Sequence, residues 1–313
     1  MILIIGIPSE PPVKLIIEEA SKQDIKSVIF NQRNAHTYDL KLEYIKNKFT
    51  GLLQVDGNEY NLEDFTGVYV RMMDYNLLPE IKNKIFNYVG NAQAVKSISI
   101  QQQLMLWLDG TEIFVANRPM DMLSNMSKPY QSQFIAQSSL LIPPTLITNN
   151  NEHLDLFKNT HKNLIFKSIS SVRSIVKNLN NEYIPLLKNL KYLATQFQKK
   201  LEGENIRVHV VGEKTFATKI ISSVTDYRYA SREGKESTLF EVELPDKINK
   251  DCIHISRILG LPLCGIDLFK TLDERYYCFE VNPSPAYSYY QESTGQNISL
   301  ALVNLLVGKN RIN

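Results

Sequence analysis

Gly265-Ile266-Asp267-Leu268-Phe269, followed a short way on by Phe279-Glu280-Val281-Asn282-Pro283, is the stretch that decides how this chain reads. β-Branched and aromatic residues fill both pieces, and Asp273-Glu274 supplies a turn between them, so the expectation is a hairpin. Side chains alternate across a strand, which puts Glu280 and Asn282 on one face. In a hairpin the partner strand can bring Asp267 opposite them. Two carboxylates and a carboxamide oxygen then converge, and hard oxygen donors of this kind suit Mg²⁺ shared between protein and nucleotide phosphates. That is an ATP site in outline.

A chain of 313 residues can bury a large core and divide into two or three lobes. Its hydrophobic share of 43% and charged share of 22% are ordinary for a globular protein. A formal net charge of +2, without any long Lys/Arg run, leaves no footprint for nucleic acid or a membrane surface. The opening Met1-Ile2-Leu3-Ile4-Ile5-Gly6-Ile7 is apolar but has no basic lead and halts at Pro8. It reads as a buried first strand and not as a signal peptide. No segment approaches the ~20 apolar residues needed to cross a bilayer. Cys252, Cys264 and Cys278 are scattered and odd in number, which points to a reducing cytoplasm without a disulfide framework. The histidines lack zinc-site spacing, and there is no P-loop, no Gly-x-Ser-x-Gly elbow and no internal repeat.

Residues 1–112 read as an α/β lobe. It holds a strand at Leu3–Ile7, an amphipathic helix around Val13–Lys22, a strand at Ser27–Phe30 and a hairpin signalled by Asp56-Gly57. A strand at Gly67–Arg71 follows, then a long helix after Pro79 that closes at Asp109-Gly110. Ile113–Pro119 reads as a crossover into a central lobe, 113–193, with a helix containing Lys128, a Pro-started strand at Ile142–Thr148 and a strand at Leu164–Lys167. The third lobe, 194–313, is strand-rich and ends in a helix from about Asn297 to Val307.

Lys167 ends an apolar strand just before Ser168-Ile169-Ser170-Ser171. Its ammonium can sit on phosphate oxygens while the small-residue loop closes above, or it can be a solvated strand end. Lys128 alone reads as surface. Gln198-Lys199-Lys200-Leu201 is a strand breaking into a turn, either an adenine-binding edge or an interlobe connector. Ile206, Val208 and Val210 alternate with Arg207 and His209, so the latter two look away from the core, and His209 reads as structural. Lys219 lies on another strand. Asp226 and Arg228 share a face if extended, as a structural ion pair or as an acceptor clamp in which Arg228 holds a carboxylate and Asp226 takes a proton. Glu10 and Arg71, at strand ends, face the same cleft or open surface alike. Tyr287, Tyr289 and Tyr290 line an acceptor pocket or pack on the last helix.

Taken in order, these pieces resemble the ATP-grasp superfamily of carboxylate ligases. The matching parts are Asn117 through Lys128, Pro143-Pro144-Thr145, Phe166-Lys167, the Gln198 connector, Asn205-Ile206-Arg207-Val208-His209-Val210-Val211-Gly212 and Gly265-Ile266-Asp267-Leu268. Glu280-Val281-Asn282-Pro283-Ser284-Pro285 and Glu292-Ser293-Thr294-Gly295 complete the set, over roughly residues 113–307. Within the superfamily the chain is similar to the ribosomal-protein glutamate ligase branch. Asp226-Tyr227-Arg228 resembles the Asp-aromatic-Arg segment of microviridin-type peptide maturases, the graspetide ligases.

The resemblance implies a mixed α/β and α+β fold, an ATP-grasp pair of lobes behind an N-terminal α/β lobe. It implies Lys128 and Lys167 on the phosphates, Gln198, Lys199, Lys200 and Leu201 along adenine, and Asn205 and Arg207 completing the nucleotide contacts. Asp267, Glu280 and Asn282 would take Mg²⁺, or Mn²⁺ in its place, with Lys219, Asp226 and Arg228 at the reacting groups. Three departures stand out. Ser168–Ser171 with Arg173-Ser174 replace the glycines usual in the phosphate loop, and Asn205 and Lys199 stand where acidic residues are common. The implied chemistry is activation of a carboxylate as an acyl phosphate, with release of ADP, and capture by an amine or hydroxyl. Ser168–Arg173 is the expected lid that keeps water out. The acceptor is a peptide, with free amino acids or small metabolites as a second reading and a catalytically silent ATP-binding regulator as a third. A homodimer agrees with the resemblance.

Overall fold

The computed structural model describes residues 1–82, 91–169, 176–222 and 237–309. The first lobe opens on β1 (Ile2–Gly6), an apolar run buried along its whole length, as a strand covered on both faces must be. α1 (Pro11–Lys22) begins with two prolines, where no N–H is missed. It returns the chain to β2 (Ser27–Asn31), parallel to β1. β3 (Asp39–Ile45), β4 (Lys48–Val55) and β5 (Asn58–Asn61) form a separate antiparallel sheet. Both of its turns, Lys46-Asn47 and Asp56-Gly57, have positive φ at their two central residues, the geometry of tight hairpins.

β6 (Gly67–Arg71) re-enters beside β1. α2 (Ala92–Gly110) starts later than the Pro79 position expected. The Asn91 side chain, accepting from the Ala94 N–H at 3.1 Å, is the cap that starts it. β7 (Phe114–Ala116) then pairs in parallel with β6 and completes the order β2-β1-β6-β7. The expected crossover is therefore the last strand of the first sheet, and that sheet runs past residue 112.

α3 (Pro119–Met122) and α4 (Lys128–Ile135) follow, the second capped by the Ser127 hydroxyl. The central sheet comes from β8 (Thr145–Thr148), β9 (Leu164–Lys167), β10 (Lys177–Asn178) and β11 (Thr195–Lys199), in the order β10-β9-β11-β8, with α5 (Asn151–His161) between β8 and β9. On one face Phe166 and Phe197 pack with Leu154, Leu164 and Leu190. Register puts Lys167, Gln196 and Gln198 on the other. β11 lies beyond the expected boundary at 193 because Phe197 belongs to this central core.

The last lobe holds β12 (Gly203–Val211), β13 (Lys214–Ser222), β14 (Ser237–Glu241), α6 (Asp246–Ile258), β15 (Leu263–Thr271), β16 (Tyr276–Asn282), α7 (Tyr287–Thr294) and α8 (Ile298–Leu306). Its sheet runs β14-β13-β12-β15-β16. Ile206, Val208, Val210, Ala217 and Ile266 pack with α6 residues on one face. On the other, Val211, Ile220 and Leu263 share a core with Ile2, Val13, Ile16, Tyr69 and Leu302, so the first and last lobes are welded together. Tyr287 is wholly buried in that core and donates to the Pro12 carbonyl at 2.6 Å, whereas Tyr289 is half exposed. Packing, and not an acceptor pocket, is the place of Tyr287. Among the described residues no helix is long and apolar enough to cross a membrane.

Candidate active site

The hairpin expected from the sequence forms. β15 and β16 pair antiparallel with Asp267 directly opposite Glu280 and Gly265 opposite Asn282. Register shifts between Asp267 and Leu268, and Leu268 pairs with Cys278, which leaves Phe279 as the extra residue of a bulge. Bulges re-aim side chains beside functional sites, and here Phe279 meets the Lys167 ammonium, 5.8 Å from its ring centroid. The bulge thus brings the central lobe's lysine over the strand that carries Glu280.

Register on the other side of β15 places Arg207 of β12 opposite Asp267, and its Nη1 donates to Asp267 Oδ1 at 2.6 Å. Gly265 is what lets the guanidinium lie there, because a Cβ at that position would overlap it. Lys128, at the first turn of α4, brings Nζ to 4.0 Å from Glu280 Oε2. Lys128, Lys167, Arg207 and Glu280 are all buried, Glu280 being only 9% exposed. Among the described residues, three cations stand beside two carboxylates in a shielded place, an arrangement that suits an anion. Asp267, Glu280 and Asn282 make a hard oxygen donor set that fits Mg²⁺. The described residues hold no cluster of three His, Cys, Asp or Glu side chains, since the third donor here is a carboxamide.

A profile of the RimK-like ATP-grasp domain matches residues 123–306, more than half of the chain. The chain belongs to the RimK-like ATP-grasp family. It is 27% identical over 120 residues to a probable alpha-L-glutamate ligase 2 of Pseudoalteromonas atlantica, a stretch that spans 39% of that relative's length and 38% of this chain. A probable alpha-L-glutamate ligase of Trichodesmium erythraeum is 22% identical over 204 residues, 62% of this chain and 68% of that one. Among solved structures, the fold matches a Chryseobacterium gregarium RiPP-associated ATP-grasp ligase in complex with ADP and a leader and core peptide. The TM-score is 0.78 at 21% identity, over 99% of this chain and 97% of that one. It also matches macrocyclase MdnC of Microcystis aeruginosa bound to precursor peptide MdnA, with TM-score 0.77 at 22% identity over 98% and 99% of the two chains.

In this ATP-grasp chain, Lys167, Gln196 and Gln198 share one face of the central sheet. Gln198 is buried and donates to the Thr145 hydroxyl at 2.9 Å. The side-chain oxygens of Gln196 and Gln198 are buried and meet no donor among the described residues. Buried acceptors of this kind call for a donor. The N–H groups of Lys199 and Lys200 already donate to the Pro144 and Asn163 carbonyls at 3.0 and 2.9 Å. Asn205 lies on the Arg207 face of β12, one pleat further out and half buried.

Lys219 is not brought to the cluster. It pairs with Ile206 in register, so it shares the α6 face of the sheet and ion-pairs with Glu204 at 2.5 Å. Asp226 and Arg228 lie outside the described residues, as does the expected lid from Ser170 onward. His209, on the Arg207 side, is wholly buried, and neither ring nitrogen is hydrogen-bonded among the described residues. Burial first, then the Arg207 charge, holds its pKa well below the ordinary histidine value. Sequence reasoning placed Asn117 at the head of a matching segment but gave it no role. It is buried, donates to the Leu263 and Pro283 carbonyls at 2.6 Å, and accepts from the Leu263 N–H at 3.0 Å. Arg71 faces the same region: Nε donates to Glu10 at 2.7 Å, and Nη1 to the Ser284 hydroxyl and the Pro285 carbonyl at 3.0 Å.

Proposed function

We propose that this chain is an ATP-dependent, ADP-forming carboxylate ligase that acts on a peptide or protein substrate. The observation that carries the reading is the row Arg207–Asp267–Glu280 under two buried lysines, Lys128 from α4 and Lys167 from the central sheet, in a chain of the RimK-like family. The peptide assignment draws support from solved proteins of the same fold that hold ADP, Mg and precursor peptides. A cytoplasmic setting suits three buried, free cysteines.

A substrate carboxylate oxygen attacks the γ-phosphorus of ATP, and ADP leaves. An amine or hydroxyl then attacks the acyl carbon, and phosphate leaves. The first step presses anion against anion, so the site must hold positive charge where it builds up. Lys128 and Lys167 supply ammonium groups to the phosphate oxygens. Arg207 keeps the Asp267 carboxylate oriented towards the row it shares with Glu280. Bound at Asp267, Glu280 and Asn282, Mg²⁺ would neutralise phosphate charge. Gln198 and the Lys199–Leu201 backbone face adenine, and Asn205 the ribose. Arg228 holds the substrate carboxylate, and Asp226 receives the proton of the incoming nucleophile. Lys219, on the far face, takes no part.

The test is incubation of the purified protein with ATP, Mg²⁺ and either acidic peptides carrying Ser, Thr or Lys or a pool of free amino acids. ADP release and product mass are followed. Peptide-dependent ADP release with loss of one water per bond supports the proposal. Release with amino acids alone moves the substrate to the second reading, a ligase of free amino acids or small metabolites. Nucleotide binding without turnover in every mixture overturns it.

A further inference from the structure

Gln131 lies on α4, one turn after Lys128, and is 2% exposed. β16 is the edge strand of its sheet, and Val281 turns its N–H and C=O outward, away from β15. A buried edge left unpaired is costly. The Gln131 carboxamide does what a neighbouring strand would do: Nε2 donates to the Val281 carbonyl at 2.7 Å, and Oε1 accepts from the Val281 N–H at 2.7 Å.

Val281 stands between Glu280 and Asn282. Its N–H belongs to the peptide plane that begins at the Glu280 Cα, and its C=O to the plane that ends at the Asn282 Cα. One buried side chain thus fixes the backbone plane attached to each oxygen donor. Residues three apart share a helix face, so the same face of α4 also delivers the Lys128 ammonium to Glu280. Further along, Asn282 Oδ1 accepts from the Ser284 N–H at 2.9 Å, and Arg71 holds the loop that follows.

We propose that Gln131 is a positioning residue for the divalent cation. α4 acts as a bracket that sets the spacing and direction of Glu280 and Asn282 and locks that geometry to Lys128. The inference rests on the ligase reading above, in which β16 carries metal ligands.

Gln131→Met keeps the length of the side chain but can neither donate to nor accept from Val281. Two readouts are taken besides turnover: Mn²⁺ binding in the presence of ADP, by electron paramagnetic resonance, and exchange of the Val281 amide proton without metal. Mn²⁺ affinity should fall about 10- to 100-fold, the range for losing a group that orients metal ligands. The Val281 amide should exchange faster. Half-saturating Mg²⁺ for ADP release should rise in step, with half-saturating ATP at saturating metal staying near that of the parent protein. A folded Gln131→Met chain that keeps its Mn²⁺ affinity overturns the proposal, even if it melts earlier, because its role is then only structural. Should Gln131→Met not fold, Gln131→Asn, too short to reach both groups of Val281, carries the same comparison. A parent protein that binds no Mn²⁺ with ADP refutes the ligase reading and this inference with it, so the two failures are told apart.

Discussion

Gly265→Ala should disable the site through a residue that is not its neighbour in sequence. On β15, Gly265 sits between His209 and Asn282, and the Arg207 guanidinium lies across its Cα. An added Cβ would stand 2.7 Å from Arg207 Nε and nearer still to Cζ and Nη2. No overlap of that depth is tolerated in place. The guanidinium is the free end of a long side chain and can lift, but only by releasing Asp267 Oδ1, which it now holds at 2.6 Å.

The two side chains are 6% and 14% exposed, so this is not a surface ion pair. Loss of one charge-assisted hydrogen bond costs about 1.5–3 kcal/mol, and stranding a buried partner raises that to ~3–5 kcal/mol. If the guanidinium moves, the overlap is relieved, so the usual overpacking strain of ~1–3 kcal/mol is an alternative to this loss and does not add to it. The expected destabilisation is therefore about 3 kcal/mol, with a fall in ADP release as Asp267 loses its orientation. Urea unfolding of the parent, Gly265→Ala, Arg207→Met and the double variant measures it. Once Arg207 is replaced, the methyl group meets no guanidinium, and an alanine in a strand interior is favoured over glycine by ~0.5–1 kcal/mol. The cycle should thus show a coupling of about 2 kcal/mol or more. Equal destabilisation by Gly265→Ala in both backgrounds would contradict this account of Arg207, because the clash would then lie elsewhere.

Glu280→Ala should leave the fold intact and remove about 3 kcal/mol or more of transition-state stabilisation, a loss of more than a hundredfold in ADP release; near-parental turnover by a folded variant contradicts it. His209 is held neutral in the folded chain, its pKa well below the ordinary value of 6.5. The unfolded chain takes up a proton near that pH which the folded chain refuses. Stability is therefore complete above about pH 6.5 and declines by up to ~1.4 kcal/mol per unit below it, until the folded pKa is reached. His209→Met should flatten that limb in urea unfolding between about pH 7 and pH 5, and an unchanged slope counts against the assignment. Burial pushes the Cys264 thiol up to about 12 and raises those of Cys252 and Cys278 as well. A thiol reagent should find none of the three cysteines in the folded chain and all three after unfolding; a fast-reacting thiol in the folded chain argues otherwise.

The donor hairpin was legible because two short β-rich runs flank a two-residue polar turn, and period two alone puts Glu280 and Asn282 together. Its register was not: Asp267 opposite Glu280 depends on a bulge at Phe279, which local pattern does not announce. The hairpin at Asp56-Gly57 carried the usual turn signature, whereas Lys46-Asn47 makes the same kind of turn without a glycine and passed unseen. Lys219 misled for a related reason. Within β13 nothing says which parity faces the cluster; pairing with Ile206 decides it and sends Lys219 to the far side, to Glu204. Asn117 and Gln131 show the deepest limit. Each reads in sequence as an ordinary polar residue, and each works by aiming two opposed polar atoms at one stretch of backbone. A charge acts over a distance, so its type already names the ligand it suits, even where register sends it elsewhere as with Lys219. A carboxamide has no such reach beyond hydrogen-bond distance, so its part in the site exists only once register and packing have put a specific N–H and C=O in front of it.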